Sequence, residues 1–293
     1  MELIDGNRIA GKIIKDLKKE VSQLSGPPPA ITFIKVGEDP ASIAYVNRKQ
    51  KIARELGMLS QIIDFPQNVT QKSLYQKIHE LNQDNSIHGI LIQSPLPPHL
   101  DEKEVFNQVS PLKDVDGFNA ANLGKLCQED DTGFIACTPA GIIELLKASN
   151  VTTEGKHIVI LGRSLIVGKP AALLLLKKSP LGNATVTICH SKTKNLSSIL
   201  KQADIIIVAI GQPHFLKVDM IRKDIVVIDV GINRIKDPST NLGYRLVGDV
   251  DFDNVSKIVS KITPVPGGVG PMTVAMLMKN TLKAYHQQKK INK

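Results

Sequence analysis

Tryptophan, cysteine and long apolar runs are absent or scarce in this sequence, and each scarcity excludes a class of protein. There is no Trp among the 293 residues, and Cys127, Cys137 and Cys189 are odd in number, far apart and outside any CxxC pair. The cysteines therefore indicate neither a disulfide framework nor a zinc knuckle. The longest apolar stretches, such as IIIVAI at 205–210, are too short to span a bilayer. The first residues lack the basic and apolar regions of a secretion signal, so we expect a cytoplasmic protein without a membrane partner.

The chain carries a net charge of +9 but has no dense block of interleaved basic and aromatic residues. Its 37 Lys and Arg residues exceed its 28 Asp and Glu residues, yet they are spread along the chain, and the one dense group is KKINK at 289–293. Four Tyr and seven Phe residues provide few stacking platforms, so we expect no nucleic-acid partner. A non-catalytic protein that binds dinucleotides or nucleic acid remains the alternative, but a basic surface suits an anionic small molecule equally well.

Several signatures of hydrolytic and metal chemistry are also missing. The sequence contains no HExxH, no Walker A motif and no GxSxG, and its seven histidines are scattered. We expect no metal.

Short apolar runs alternate with helical patterns along the chain, which indicates parallel α/β architecture. The sequence predicts strands at 30–37, 60–66, 88–96, 157–162, 184–189, 203–211 and 224–231, and helices at 40–57, 70–84, 138–150 and 271–288. We therefore predict two α/β units joined by helices.

The predicted helix at 40–57 carries a lysine on its apolar side. Asp39 before Pro40 predicts the helix start, and Gly57 predicts its end. At about 100° per residue, Lys49 falls within about 40° of Tyr45 and so lies inside the apolar stripe. One interpretation is a lysine whose stem packs while its amine reaches water. The other is a partly desolvated amine whose pKa falls into a range useful for proton transfer.

Residues 157–176 predict a strand, a glycine turn and a helix. Gly162 ends the strand, while Gly168 and Pro170 open the helix, so backbone N–H groups would face a pyrophosphate. Ser164 occupies the middle glycine position of GxGxxG, and a simple tight turn is the alternative. Three further strands at βαβ spacing favour a dinucleotide site.

The turn after the next strand indicates which dinucleotide binds. An NAD site usually has an acidic residue there, whereas CHSKTKN at 189–195 offers Ser191 and two lysines instead. Together with Arg163, these groups suit a 2′-phosphate, so the sequence favours NADP. A solvated basic turn is the alternative.

Three other stretches place polar or rigid residues where a strand or turn does not require them. Gln93 and Ser94 follow an apolar strand, and Asp114 and Asp116 precede Gly117. The loop TPVPGGVGPMT at 263–273 combines proline stiffness with glycines that allow close backbone approach to a ligand. The alternatives are a strand-terminating polar residue for Gln93 and an Asp-Gly turn for the aspartates.

Seven motifs together resemble one known family, the bifunctional 5,10-methylenetetrahydrofolate dehydrogenase/5,10-methenyltetrahydrofolate cyclohydrolases. They are YVNRK (45–49), GILIQSPLP (89–97), KDVDGF (113–118), GRSLIVGKP (162–170), CHSKT (189–193), DVGIN (229–233) and TPVPGGVGPMT (263–273). The resemblance covers essentially the whole chain and implies tetrahydrofolate derivatives as substrates and NADP as cofactor.

The resemblance assigns roles to residues of the first half and of the last loop. Lys49 would be the general acid/base of methenyl hydrolysis, Gln93 its hydrogen-bonding partner, and Asp116 the aspartate that binds the pterin ring. Tyr45 would pack on the folate. Pro266 and Gly270 would border it, and the family's cofactor positions are matched by Gly162, Arg163, Ser164, Ser191 and Ile232.

The family also implies an architecture: a homodimer whose two α/β domains flank an active-site cleft. The expected division is a folate-binding catalytic domain at 1–139, a Rossmann-like NADP-binding domain at 140–268, and a helix at 269–293 that packs back on the first domain. A monofunctional or NAD-preferring family member is the nearest alternative, and a shikimate dehydrogenase-like oxidoreductase is a more distant one that leaves the 263–273 loop unexplained.

Two departures from the family pattern are visible. Ser94 stands where Leu is common in the family, and the segment around 177–183 is longer than is usual in the family. Neither removes a residue to which the resemblance assigns a role, although Ser94 could alter the packing of the folate pocket.

Overall fold

The computed structural model describes residues 1–240 and 243–291, which divide into two compact units. The N-terminal unit consists of Lys12–Cys137 and the chain from Val274 onward, and the C-terminal unit consists of Met1–Gly11 and Thr138–Thr273. The chain passes between them within helix α1 (Gly6–Ser22), near the start of helix α6 (Cys137–Ala148) and within helix α10 (Val269–Ile291).

The N-terminal unit is built on a three-stranded parallel sheet. Strand β2 (Ala30–Val36) lies between β3 (Leu59–Phe65) and β4 (Gly89–Ile92), and all seven of its residues are buried. Helices α2 (Pro40–Glu55) and α3 (Gln71–Gln83) follow β2 and β3 as crossover helices, and α4 (Glu102–Gln108) and α5 (Ala120–Cys127) come after β4. Apolar side chains of the strands and of α3 and α4 form the core.

The C-terminal unit contains a six-stranded parallel sheet in the order β1-β11-β8-β7-β5-β6. Its strands are β1 (Glu2–Leu3), β5 (His157–Leu161), β6 (Thr185–Cys189), β7 (Ile205–Val208), β8 (Val226–Asp229) and β11 (Lys261–Ile262). The remaining elements are α7 (Gly168–Leu176), α8 (Leu196–Leu200), α9 (Phe252–Val255), a 3-10 turn (Val218–Met220) and the antiparallel pair β9 (Asn233–Lys236) and β10 (Tyr244–Val247). Strands β6 and β7 pair with opposite edges of β5, so the sheet has its topological switch point beside β5.

The predicted α/β class with parallel sheets is confirmed, and the strand at 88–96 is corrected. That strand ends at Ile92, and the last ladder bond runs from the Gln93 N–H to the Ile34 carbonyl, 2.8 Å away. Prolines follow at 95, 97 and 98, and because proline has no N–H the strand cannot continue. Gln93 therefore stands at the carboxyl edge of the sheet.

Candidate active site

Helix α2 positions Lys49 and starts where the sequence predicts. The Asp39 carboxylate accepts from the Ser42 N–H at 2.7 Å, which satisfies one of the free donors of the first turn. The buried face of α2 consists of Ser42, Val46, Lys49 and Ala53. The prediction that Lys49 points inward is confirmed, but the stripe is rotated, because Tyr45 is 38% exposed. A tyrosine in that position is free to present its ring to a ligand.

Lys49 and Gln93 meet, as the sequence suggested. Lys49 is only 9% exposed, and its Nζ donates to Gln93 Oε1 at 3.0 Å. The other end of the Gln93 amide, Nε2, donates to the Ser94 carbonyl at 2.6 Å, which fixes the amide with its oxygen toward the lysine. The amine therefore has a fixed acceptor instead of the free access to water that the other interpretation required.

Asp114 and Asp116, two residues apart, have different structural roles. The carboxylate of Asp114 accepts from the N–H groups of Gly117, Phe118 and Asn119 at 3.1, 3.2 and 2.9 Å, and from Asn122 Nδ2 at 2.8 Å. Asp114 thus builds the turn, and the alternative of an Asp-Gly turn is correct for this residue. Burial raises its pKa to about 6.

Gly117 lets this turn pack closely against the chain before α6. Its φ is +76°, and a Cβ on it would lie 2.5 Å from the Ala136 backbone N. Both the positive φ and this short contact exclude a side chain at position 117. The tight turn leaves Asp116 outside the network of Asp114.

Lys49, Asp116 and Cys137 form one electrostatic group. Burial lowers the pKa of Lys49, and the charge of Asp116 partly opposes that change. Burial raises the pKa of Asp116, while Lys49 and a hydrogen bond with the Cys137 thiol act to lower it. Burial and the negative charge of Asp116 raise the pKa of Cys137 well above its usual value, so the thiol stays protonated. An amine that loses its proton more readily than usual, beside a carboxylate, is suited to proton transfer.

Sequence reasoning missed Cys137 as part of this group. Its Sγ also donates to the Val115 carbonyl at 3.5 Å, and Asn280 Nδ2 donates to Sγ at 3.8 Å. Asn280 further donates to the Val115 carbonyl at 2.9 Å, so helix α10 supports the chain on which Asp116 stands. The only sequence signal was a buried-type cysteine next to a predicted helix start, which does not distinguish this role from core packing.

Ser94, the departure from the family pattern, has a partner in the structure. Its Oγ donates to Glu102 Oε1 at 2.7 Å, and the Leu96 N–H donates to the same oxygen at 3.1 Å. Glu102 is the first residue of α4. The polar side chain thus ties the segment after Gln93 to a helix start instead of leaving a gap.

The glycine turn after β5 has the geometry that the sequence suggested. Gly162 has φ +117°, and a Cβ on it would lie 2.2 Å from the Ala209 carbonyl oxygen. A Cβ on Gly168 would lie 2.2 Å from the Gly162 carbonyl oxygen. Ser164 Oγ accepts from the N–H groups of Val167 and Gly168 at 3.1 and 3.5 Å, at the start of α7. Only glycine fits at 162 and 168, so the backbone stays bare there.

A pocket of about 500 Å³ lies at the carboxyl ends of β5, β6 and β7. Gly162, Arg163 and Ser164 of the glycine turn and Ser191 of the next turn line it, so the structure brings these four predicted residues together. The lining also includes His190 and Thr193 of the turn at 189–195, Ile210 and Gln212 of the loop after β7, and Phe215, which was not predicted. Position at the topological switch point is typical of nucleotide sites in open α/β sheets.

The remaining predicted residues of the C-terminal unit lie in two loops and at the start of α10. Ile232 is 45% exposed, and a Cβ on Gly270 would lie 3.5 Å from its Cδ1, so these two residues are adjacent. Pro266 is exposed in the loop before α10, and Gly270 is the second residue of that helix. The longer segment at 177–183 closes on itself through a bond from the Asn183 N–H to the Lys177 carbonyl, and Thr153 Oγ1 donates to the Gly182 carbonyl at 2.9 Å.

Within residues 1–240 and 243–291, no cluster of three or more His, Cys, Asp or Glu side chains is arranged to hold a metal ion. None of the helices in those ranges has the length and apolar character needed to cross a membrane.

Comparison with known proteins places the chain in one family. The sequence model of the tetrahydrofolate dehydrogenase/cyclohydrolase catalytic domain matches residues 4–116, and that of the NAD(P)-binding domain of the same family matches residues 136–289. A curated relative, the bifunctional protein FolD of Chlorobium phaeobacteroides, is 52% identical over 291 residues, which cover 98% of this chain and 99% of the relative.

Solved structures agree. The bifunctional FolD methylenetetrahydrofolate dehydrogenase/cyclohydrolase of Campylobacter jejuni is 46% identical, with a TM-score of 0.92 over 98% of this chain and 99% of that chain. The N5,N10-methylenetetrahydrofolate dehydrogenase-cyclohydrolase of Trypanosoma brucei, complexed with NADP and an inhibitor, is 39% identical with a TM-score of 0.92 over 98% of each chain.

Proposed function

The chain belongs to the tetrahydrofolate dehydrogenase/cyclohydrolase family, and we propose that it catalyses two successive steps of one-carbon chemistry. The first is NADP-dependent oxidation of 5,10-methylenetetrahydrofolate to 5,10-methenyltetrahydrofolate. The second is hydrolysis of the methenyl compound to 10-formyltetrahydrofolate. The observation that carries the second step is the buried Lys49 amine, whose pKa is lowered by burial and which donates to Gln93.

The pocket of the C-terminal unit fits NADP. Arg163 and Ser191 line it and offer positive charge and a donor for a 2′-phosphate, and Lys192 and Lys194 follow in the same turn. Among the described residues that line the pocket, none is acidic. The backbone at Gly162 carries no side chain, since one would collide with Ala209, and so allows the close approach of a pyrophosphate. Ile232, beside Gly270, would border the nicotinamide end. When bound, NADP⁺ supplies the hydride acceptor, and the task of the protein in this step is orientation.

The hydrolytic step requires proton transfer, which we assign to Lys49. Water adds to the methenyl carbon and loses a proton, which leaves a hydroxyl group on that carbon. The bond between this carbon and one folate nitrogen then breaks as that nitrogen gains a proton, and the hydroxyl proton is released to solvent as the formyl carbonyl forms. An ordinary lysine, with a pKa of about 10.4, is protonated at neutral pH and cannot accept that proton. Burial lowers the pKa of Lys49 and so favours the neutral amine. The neutral amine takes the proton from water and returns it to the leaving nitrogen.

Three neighbours support Lys49. Gln93 accepts from Nζ at 3.0 Å and so holds the amine in one direction. Asp116, beside Lys49, would bind the pterin ring, and Tyr45 would pack against the folate. These three roles are part of the proposal.

Separate measurement of the two steps with Lys49→Met tests this assignment. We expect cyclohydrolase turnover to fall by about 10²–10⁴-fold, the usual size of general acid/base catalysis, while NADP⁺ reduction changes far less. The methenyl intermediate should accumulate, which is visible in the same assay as NADPH formation. Lys51→Met is the matched control, because Lys51 is an exposed lysine of the same helix, with its Nζ 3.9 Å from Glu55 Oε1. Unchanged cyclohydrolase turnover in Lys49→Met would contradict the role, and NADP⁺ reduction at no higher rate than NAD⁺ reduction would contradict the cofactor.

We also propose that the chain forms a homodimer and acts in the cytoplasm. The proposed domains are a folate-binding domain (1–139) and an NADP-binding domain (140–268), followed by the last helix (269–293). The edge strand β3 supports the dimer: β2 covers one of its edges, and Leu59 on it is 58% exposed. Light scattering of the purified protein at micromolar concentration should give twice the mass of the chain.

A further inference from the structure

Two buried carboxylates lie at the carboxyl edge of the six-stranded sheet. Asp229 is the last residue of β8, and Asp249 follows β10 by two residues. Both are almost completely shielded from water. The mechanism described above uses neither of them, and a buried carboxylate needs donors to be tolerated.

Asp249 joins two loops through its two oxygens. Oδ2 accepts from the N–H groups of Ile210 and Gly211 at 2.8 and 2.9 Å, in the loop after β7. Oδ1 accepts from Asn233 Nδ2 at 2.8 Å, in the segment after β8. A single rigid group thus fixes the distance between these two loops.

Asp229 holds Asp249 in place. Asp229 Oδ1 accepts from the N–H of Asp249 at 2.9 Å and from that of Gly231 at 3.0 Å. The fit is close, since a Cβ on Gly231 would lie 2.2 Å from Asp249 Oδ1. The Thr263 hydroxyl accepts from the Asp229 N–H at 2.7 Å, which connects the pair to the start of the 263–273 loop.

The two loops are those that would hold opposite parts of the cofactor. Ile210 lines the pocket of about 500 Å³, whereas Ile232 stands immediately before Asn233 and next to Gly270. We propose that Asp249 is a positioning residue for the dehydrogenase step. It fixes the distance between the pocket wall at Ile210 and the loop at Ile232, which would border the nicotinamide. This inference rests on the proposed cofactor site.

The expected effect follows from the geometry that hydride transfer requires. Reacting atoms must approach to about 3–3.5 Å, and a misplacement of about 1 Å costs about 10²-fold in rate. Loss of the carboxylate would let the two loops separate and leave three N–H donors without their acceptor. The hydrolytic step needs no cofactor, so it provides an internal measure of intact protein.

Three variants separate positioning from folding. Asn233→Ala removes the hydrogen bond from Asn233 to Asp249 and leaves Asp249 its two backbone donors. We expect dehydrogenase kcat to fall about 10-fold and cyclohydrolase kcat to stay unchanged. Asp249→Ala removes the hydrogen bonds to both loops and should lower dehydrogenase kcat about 10²-fold. Asp249→Asn keeps one oxygen for Ile210 and Gly211, and its NH₂ can donate to Asn233 once that amide has turned, so it should restore most of the activity.

The ratio of the two activities is the readout, measured with the full-length protein, and Asp253→Asn on the exposed side of α9 is the matched control. Equal losses of both activities in Asn233→Ala and Asp249→Ala, with a lower denaturation midpoint, would overturn the inference in favour of a purely structural role. Unchanged dehydrogenase kcat and KM for NADP⁺ in Asn233→Ala would also overturn it. A wild-type protein that does not reduce NADP⁺ would instead contradict the proposed function.

Discussion

A methyl group at Gly162 should damage the cofactor side of the enzyme and spare the folate side. The position has φ +117°, where a residue other than glycine costs about 1–3 kcal/mol. The new Cβ would also lie 2.2 Å from the Ala209 carbonyl oxygen, so β5 and β7 must move apart at their carboxyl ends. Overpacking of this kind costs about 1–3 kcal/mol more. We therefore expect Gly162→Ala to lower the free energy of unfolding by about 2–6 kcal/mol.

Gly155→Ala is the matched control for backbone strain without a collision. Gly155 has φ +69° in the turn before β5, and no other atom lies within 4 Å of the place where its Cβ would be. The substitution should cost about 1–2 kcal/mol, the price of a left-handed conformation alone. The excess loss in Gly162→Ala then measures the contact with Ala209.

Urea unfolding of both variants, followed by kinetics on the same preparations, tests this reasoning. The displaced Ala209 wall should raise the KM for NADP⁺ in Gly162→Ala, while cyclohydrolase turnover, which needs no cofactor, stays near that of wild type. Equal destabilisation of the two variants, together with an unchanged KM for NADP⁺, would refute the argument.

Two further predictions concern titrating groups. Lys49→Arg should lose cyclohydrolase activity as completely as Lys49→Met, because a guanidinium stays protonated throughout the pH range of the assay. Wild-type turnover should instead rise with pH as the amine loses its proton, and substantial activity in the arginine variant would mean that positive charge alone is sufficient. Asp114 has a folded-state pKa of about 6, above its ordinary 3.8, so the folded state holds this proton more tightly and stability falls as pH rises from about 4 to 6. The full shift amounts to about 3 kcal/mol, of which about 2.4 kcal/mol falls between pH 4 and pH 7, because the unfolded carboxyl is already about half ionised at pH 4. Urea unfolding at these two pH values should show wild type losing about 2.4 kcal/mol relative to Asp114→Asn, and a constant difference between the two proteins would contradict this.

Local patterns predicted most of the elements because their causes lie within a few residues. The Asp39–Pro40 start of α2 and the apolar runs of β2 and β5 depend on capping, proline geometry and burial on both faces of a parallel sheet. Strand β4 was predicted too long because its end is set by prolines that an apolar pattern does not register.

The candidate site was predicted in part, for a physical reason. Lys49 was recognised as inward-facing from helical geometry, yet the stripe was centred on Tyr45, because periodicity fixes angles along a helix but not which side meets the sheet. The residue pattern alone did not distinguish Asp114 from Asp116, although the family resemblance singled out Asp116. The fold shows that Asp114 builds the turn and that Asp116 interacts electrostatically with Lys49. Cys137 and Asp249 could not be predicted because their partners lie far away along the chain.

The order of the two reactions bears on the pKa of Lys49 itself. Burial lowers that pKa, and Asp116 opposes the change. Removal of a hydride converts a neutral methylene compound into a methenyl cation, which adds positive charge beside the amine. For two unit charges about 6 Å apart at an effective dielectric constant of about 20, the repulsion is about 3 kcal/mol, or about two pKa units. In the proposed mechanism, which places the methenyl carbon beside Lys49, the first step therefore creates the charge that drives the proton from the amine, and Lys49 becomes a base when its substrate is formed.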